Sequence, residues 1–139
     1  MSGERIFWPI TTLALWTGFV LLVTAYGRIG AVLRGQLRSN AFKIGESPEV
    51  PKQLLVGNRN FMNLLEMPVL FYVVCISLYV TKNVDTASIW LAWLYVLLRV
   101  LHSVIHLSYN HVVHRLLAFT LSNVTLTALW AVFIVRLSA

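Results

Sequence analysis

Charged residues are scarce in this chain. Only 12% of its 139 residues are Asp, Glu, Lys or Arg, whereas a soluble domain carries about 25%. Cysteine is scarcer still: Cys75 is the one thiol, so a disulfide within one chain is excluded. Its apolar surroundings predict a small buried hydrophobic residue. No internal repeat, low-complexity tract or linker divides the sequence, and we expect a single transmembrane domain over residues 1–139.

Apolar residues make up 58% of the chain, and the mean hydropathy is +0.76. They are grouped in long blocks without the strict alternation of barrel strands, which favours helices. A bilayer core about 30 Å thick requires roughly 20 apolar residues per helix. The sequence therefore predicts an all-α, integral membrane four-helix bundle. The four stretches are about Phe7–Tyr26, Leu64–Val80, Ile89–His106 and Leu116–Val135.

The net charge of +6 is distributed unevenly between the two ends of the predicted bundle. By the positive-inside rule, the end richer in Lys and Arg faces the cytoplasm. Four spans then place both termini on the non-cytoplasmic side, and the turn Ser108–Arg115 at the cytoplasmic end. Because topology explains the charge, no nucleic acid partner is expected. The cytoplasmic end carries Arg28, Arg34, Arg38, Lys43, Lys52 and Arg59, and the other end carries Arg5, Lys82 and Arg136, with Asp85 nearby.

Proline and glycine indicate where the first two helices end and begin. Gly27, Gly30 and Gly35 are expected to loosen the end of the first helix. An irregular loop follows, over about Ser39–Val50. Pro51 suits a first helical turn, so the second helix is predicted over Pro51–Thr81. Small-residue helix-packing motifs are not conspicuous.

The second helix carries polar residues where its apolar run begins. Arg59, Asn63 and Glu66 are spaced i, i+4 and i+7, which places them on one helical face. Glu66 lies two residues inside the apolar run. A carboxylate at that depth is costly unless it is paired, so we expect it to face the bundle interior.

The third helix repeats this pattern. Arg99, His102 and His106 are spaced i, i+3 and i+7, and Tyr95 lies one turn before Arg99 on the same face. A guanidinium halfway along a span requires partners. Arg115 begins the fourth helix close to His111 and His114. Basic side chains and a helix N-terminus at one end of the bundle favour binding of an anion.

Simpler interpretations remain open for these residues. Arg59, Asn63, Glu66 and Arg99 could form a structural polar network, and Asn58 and Asn60 could lie at the membrane interface. His102 and His106 have a spacing that can chelate metal or haem. We expect no metal, because no acidic ligand is near and Arg99 and Arg115 would repel a cation. Five tryptophans are interpreted as interface or packing residues: Trp8, Trp16, Trp90, Trp93 and Trp130.

These motifs together resemble the MAPEG family, the membrane-associated proteins in eicosanoid and glutathione metabolism. The pattern Arg59-xxx-Asn63-xx-Glu66-x-Pro68 is similar to the family signature. Gly35-Gln36-Leu37-Arg38 resembles the prostaglandin E synthase version. A third match to the family is Arg99-Val100-Leu101-His102, with Arg115 thirteen residues after His102. The resemblance covers nearly the whole chain. The family includes microsomal glutathione transferases.

The resemblance implies a homotrimer with glutathione bound at the subunit interfaces near the cytosolic side. It implies that glutathione is a cosubstrate and that Arg115 is the catalytic residue that stabilises its thiolate. The second substrate would be a lipophilic small molecule, an electrophile or hydroperoxide, arriving from the surrounding membrane lipids. The implied glutathione-binding residues are Arg38, Arg59, Asn63, Glu66, Arg99, His102 and His106.

Three positions depart from the prostaglandin E synthase pattern. His106 replaces a tyrosine, Leu116 replaces a serine just after the implied catalytic arginine, and Phe119 replaces a tyrosine one turn later. Tyr95 or Tyr109 could supply a hydroxyl instead.

The expected activity is a glutathione transferase with secondary peroxidase activity, and the alternative is a non-catalytic lipid-binding or scaffold protein of the same fold. Its membrane would be the inner membrane of a bacterial cell or the endoplasmic reticulum of a eukaryote.

Overall fold

The computed structural model describes residues 3–38 and 50–138. All regular structure in these two segments is helical, and neither contains a strand. The predicted loop, including Lys43, lies outside the described residues except for Val50. A short 3₁₀ helix, Gly3–Ile6, leads into α1 (Phe7–Leu33), which is followed by α2 (Lys52–Val80), α3 (Thr86–Leu107) and α4 (Val112–Leu137).

Each of the four helices is long and apolar enough to cross a bilayer. The 29 residues of α2 extend about 44 Å at ~1.5 Å per residue, which exceeds a bilayer core of about 30 Å. Large apolar side chains cover the outer surface, and Leu22 and Val80 are 69% and 70% exposed. The chain is therefore a multi-pass membrane protein, as predicted, and the predicted α2 is correct to within one residue at each end.

The bundle interior is apolar along most of its length. α3 and α4 share the most extensive contact, followed by α1 and α2. Leu13, Val20 and Leu129 are fully buried, and the rings of Phe71 and Tyr95 stack with centroids 4.6 Å apart. Cys75 is also fully buried, which confirms the prediction for its side chain.

Small residues let α1 and α2 approach closely, although no packing motif was evident in the sequence. A Cβ on Gly27 would lie 2.9 Å from the side chain of Leu54, and one on Gly57 would lie 3.1 Å from Thr24 Oγ1. α1 continues through Gly27 and Gly30, so the predicted loosening there is wrong. The helix ends instead where Gly35 adopts φ +69°, and its N–H donates to the Val32 carbonyl.

The start of α3 is fixed by a capping box that also joins α4. The Asp85 carboxylate accepts from the Ser88 N–H at 2.9 Å, and the Ser88 hydroxyl accepts from the Asp85 N–H at 2.9 Å. Arg136 near the end of α4 forms an ion pair with Asp85. Partial burial alone would raise the pKa of Asp85, but the hydrogen bonds from Ser88 and Arg136 outweigh it and lower that pKa.

Acidification is expected to weaken this junction through Asp85. Because the pKa of Asp85 is lower in the folded chain, its contribution to stability is present above the ordinary carboxyl pKa, ~3.9, and is lost as the pH falls through the lower folded value. Asp85→Ala should lower the free energy of unfolding at pH 7 by about 1 kcal/mol, the usual contribution of an N-cap.

Thermal unfolding in detergent at several pH values checks this expectation. Asp85→Asn is the matched control, because an amide still caps the helix but does not titrate. An Asp85→Asn variant with the same acid sensitivity as the unmodified chain would assign that sensitivity to other carboxylates.

Candidate functional site

The polar face of α3 points into the bundle. Tyr95 and Arg99 are fully buried, and His102 and His106 are each 2% exposed. Arg99 Nε donates to the Tyr95 hydroxyl at 3.0 Å. The Arg99 guanidinium carbon also lies 5.0 Å from the ring centroid of Phe119 on α4, a cation–π distance. α3 therefore holds a buried cation between aromatic rings of its own and of α4.

Several buried polar atoms of α2 and α3 have no hydrogen-bond partner within residues 3–38 and 50–138. Both terminal nitrogens of Arg99 belong to this set, together with Nδ1 of His102, Nδ1 of His106 and Oδ1 of Asn60. An unpaired buried polar group costs roughly 1–3 kcal/mol, and more when it is charged. Among these atoms, the unused guanidinium donors of Arg99 suit an anionic ligand.

Asn60 connects α2 to α3. Its Nδ2 donates to the Ser103 hydroxyl at 2.7 Å, and both residues are fully buried. The interpretation of Asn60 as an interfacial residue is therefore wrong. Its partner lies 43 residues along the chain, so helical spacing within α2 could not reveal the contact.

Arg115 is held at the start of α4 by two acceptors. Its Nη1 lies 2.8 Å from Asn110 Oδ1 and 3.3 Å from His106 Nε2. Because arginine is always a donor, Nε2 of His106 accepts and the neutral ring carries its proton on Nδ1. Asn110 was missed in the sequence. The residue adopts φ +48°, a backbone conformation in which asparagine is enriched, but this signal predicts a turn and not the contact.

A cavity of about 230 Å³ opens beside Arg115. Residues from α2, α3 and α4 line it, and three of them are predicted site residues. The structure thus brings Asn63, His102 and Arg115 together. The remaining lining residues come from α4, and the complete lining is Asn63, His102, Val112, Arg115, Leu116 and Phe119.

Other predicted site residues lie on the outside of the single chain. Arg59 and Glu66 are exposed on α2, and Arg38 is exposed beyond the end of α1. The expectation that Glu66 faces the interior of the bundle is therefore wrong for one chain, because no helix of the described segments covers that part of α2. A carboxylate at this depth needs cover from something outside the chain.

The positions that depart from the prostaglandin E synthase pattern are close to the cavity. Leu116 is 60% exposed and lines it, and Phe119 contacts His102 with ring centroids 5.7 Å apart. Tyr109 is exposed, and its hydroxyl lies 3.1 Å from His114 Nδ1. Tyr95 is already engaged by Arg99. In the described segments, no group of three His, Cys, Asp or Glu side chains could hold a metal ion.

Four apolar helices, with cationic and imidazole side chains at an open cavity beside Arg115, define a multi-pass membrane protein with a polar site. The model of the MAPEG family matches residues 6–135, and the chain belongs to this family. Membership associates it with glutathione-related or eicosanoid metabolism. A search of curated proteins found no match, and neither did a search of solved structures.

Proposed function

We propose that this protein is a homotrimeric membrane glutathione transferase, with Arg115 as the catalytic residue. The observation that carries this proposal is the buried Arg99 guanidinium, whose two terminal nitrogens have no acceptor in the described segments. Phe119 packs on that guanidinium and also lines the cavity that contains Arg115. Phe119 therefore adjoins both the buried cation and the cavity.

The charges of the predicted site residues match those of glutathione, which carries two carboxylates and one ammonium. Guanidinium groups bind carboxylates through paired hydrogen bonds, so Arg38, Arg59 and Arg99 are assigned to the carboxylates. The Glu66 carboxylate is assigned to the ammonium. Asn63, His102 and His106 supply neutral hydrogen-bonding groups for the peptide portion.

A trimer accounts for the exposed residues of α2. Glu66 and Arg59 are exposed on the outer surface of the single chain, among apolar residues of α2. A second copy packed on this surface would cover the carboxylate and complete the site between subunits. The same bundle end carries most of the basic residues, so the positive-inside rule places it in the cytoplasm.

The chemistry follows from a cation beside sulfur. The Arg115 guanidinium stabilises the glutathione thiolate, which attacks an electrophilic carbon; a sulfur–carbon bond forms while a leaving group departs or a carbanion takes up a proton. With a hydroperoxide, the thiolate attacks the peroxide oxygen and releases an alcohol. A second glutathione then attacks the resulting sulfenic acid, which gives glutathione disulfide and water.

Titration of the purified protein with glutathione in nanodiscs tests the proposal. We expect a saturable ultraviolet thiolate signal and a rise in thermal stability, because the ligand binds the native state. S-methylglutathione is the control, since it should raise stability without a thiolate signal. Stabilisation by both compounds without any thiolate signal would indicate binding without activation. No effect of either compound would favour the lipid-binding or scaffold alternative.

Asn110 is expected to position Arg115 for this reaction. Asn110→Gly removes the acceptor at 2.8 Å but keeps a residue that tolerates φ +48°. Loss of a hydrogen bond to a charged group costs about 1.5 kcal/mol or more, so kcat should fall roughly 10-fold with little change in KM for glutathione.

Steady-state kinetics on Asn110→Gly measures this effect, and Asn83→Gly provides the control. Asn83 lies in the turn between α2 and α3, where glycine removes an equivalent side chain far from Arg115. An Asn110→Gly enzyme with the kcat of the Asn83→Gly enzyme would show that Asn110 has no positioning role.

A further inference from the structure

A second cavity lies between the 3₁₀ helix with the first turn of α1 on one side and the first two turns of α3 on the other. Its volume is about 400 Å³, and its lining residues are Arg5, Trp8, Thr86, Ile89, Trp90 and Trp93. α1 and α3 run in the same direction through a four-span bundle, so their first turns lie at the same membrane surface. The cavity therefore occupies the bundle end opposite the cavity of Arg115.

The two cavities are well separated along α3. Ile89 lines one and His102 lines the other. These residues are thirteen positions apart in the sequence, which corresponds to about 20 Å of helix. A ligand in the second cavity is thus independent of the proposed glutathione site.

Tryptophans at a membrane surface are common and need no ligand. Here, however, three of the five tryptophans of the chain line one concave site together with a guanidinium. Trp8 and Trp90 are 68% and 71% exposed, so their large rings are not held by packing inside the bundle. An interfacial tryptophan belt explains their depth but not their convergence around Arg5.

The chemistry of this cavity fits one component of the surrounding membrane. The Arg5 guanidinium suits a phosphate through paired, charge-assisted hydrogen bonds, and indole N–H groups are further donors. Ile89 and the tryptophan rings offer apolar surface for glycerol and the upper acyl chains. We propose that this cavity binds a phospholipid of the non-cytoplasmic leaflet, with its phosphate on Arg5.

Native mass spectrometry of the delipidated protein in detergent tests the site with dioleoylphosphatidylglycerol, dioleoylphosphatidylcholine and dioleoylglycerol. Both phospholipids should bind in preference to dioleoylglycerol, which lacks the phosphate. Arg5→Gln should weaken binding of both phospholipids at least ~10-fold, because the charge-assisted hydrogen bonds to the phosphate are lost. Trp90→Ala should weaken binding of all three lipids.

Two matched variants separate this site from general effects of charge and apolar area. Lys52→Gln removes an exposed cation at the other end of the bundle, and Leu97→Ala removes an exposed apolar side chain two turns after Trp90. Both should bind lipid like the unmodified chain. Equal binding of dioleoylglycerol and the phospholipids, or an Arg5→Gln variant that behaves like Lys52→Gln, would overturn the proposal and leave only an interfacial belt.

Discussion

Replacing Arg115 by alanine is expected to lower kcat for glutathione conjugation by roughly 10²–10³-fold, the usual effect of removing one donor that stabilises a reacting anion. Arg115 lines the cavity and is fixed by Asn110 and His106, so its guanidinium is oriented before any ligand binds. Because the guanidinium is already oriented, it need not reorganise during the reaction. The thiolate absorbance should disappear together with the activity.

The pH dependence of the variant distinguishes this role from simple loss of binding. A free thiol has a pKa of about 8.5, and a neighbouring cation lowers it. We expect the thiolate to be present at neutral pH in the unmodified protein, so its kcat should be nearly flat above pH 7. In Arg115→Ala the thiolate forms only as the pH approaches the free-thiol value, so kcat should rise steeply between about pH 7 and 9.

Steady-state measurement of kcat across this pH range checks the expectation. Arg34→Gln is the control, because Arg34 is an exposed arginine at the same bundle end but not a lining residue of this cavity. Arg115→Lys keeps the charge but loses the planar group that reaches two acceptors, and an intermediate rate is expected. Unchanged turnover in Arg115→Ala would show that the assigned catalytic role is wrong.

The membrane fold could be predicted from the sequence because its main signal is local. A long apolar run requires a spanning helix whatever its neighbours are, and Pro51 fixes where α2 begins. Helical spacing also predicted that Arg99, His102 and His106 share a face. The structure adds that this face is buried, which sequence spacing alone cannot distinguish from a face turned toward another subunit.

Contacts between helices could not be predicted in the same way. Asn60 meets Ser103 across α2 and α3, and Asn110 meets Arg115 through a turn whose geometry depends on a positive φ. The predicted orientation of Glu66 toward the bundle interior was wrong. The cost of a carboxylate inside a membrane requires that it be covered, but it does not determine which chain covers it. The close approach at Gly27 and Gly57 likewise depends on what faces each glycine.

The replacement Arg99→Met is expected to weaken glutathione binding at least ~30-fold, since removing one partner of a desolvated charged pair costs about 2–5 kcal/mol. Methionine has a similar length and is flexible enough to fill the space between Tyr95 and Phe119. Thermal stability without ligand should be unchanged or higher, because the two terminal nitrogens of Arg99 have no acceptor in the described part of the chain.

Thermal unfolding with and without glutathione measures both effects on one sample. Weaker glutathione binding together with unchanged or higher stability is expected only if Arg99 serves a ligand. If the guanidinium stabilised the fold, its removal would lower the stability of the free protein. If it serves a carboxylate of the ligand, it destabilises the free protein, and its removal does not. Leu98→Met, the adjacent position, controls for a methionine in the same helix. A large loss of stability with glutathione binding intact would assign Arg99 to a structural polar network, and the carboxylate contact of the proposed site would have to be sought among Arg38 and Arg59.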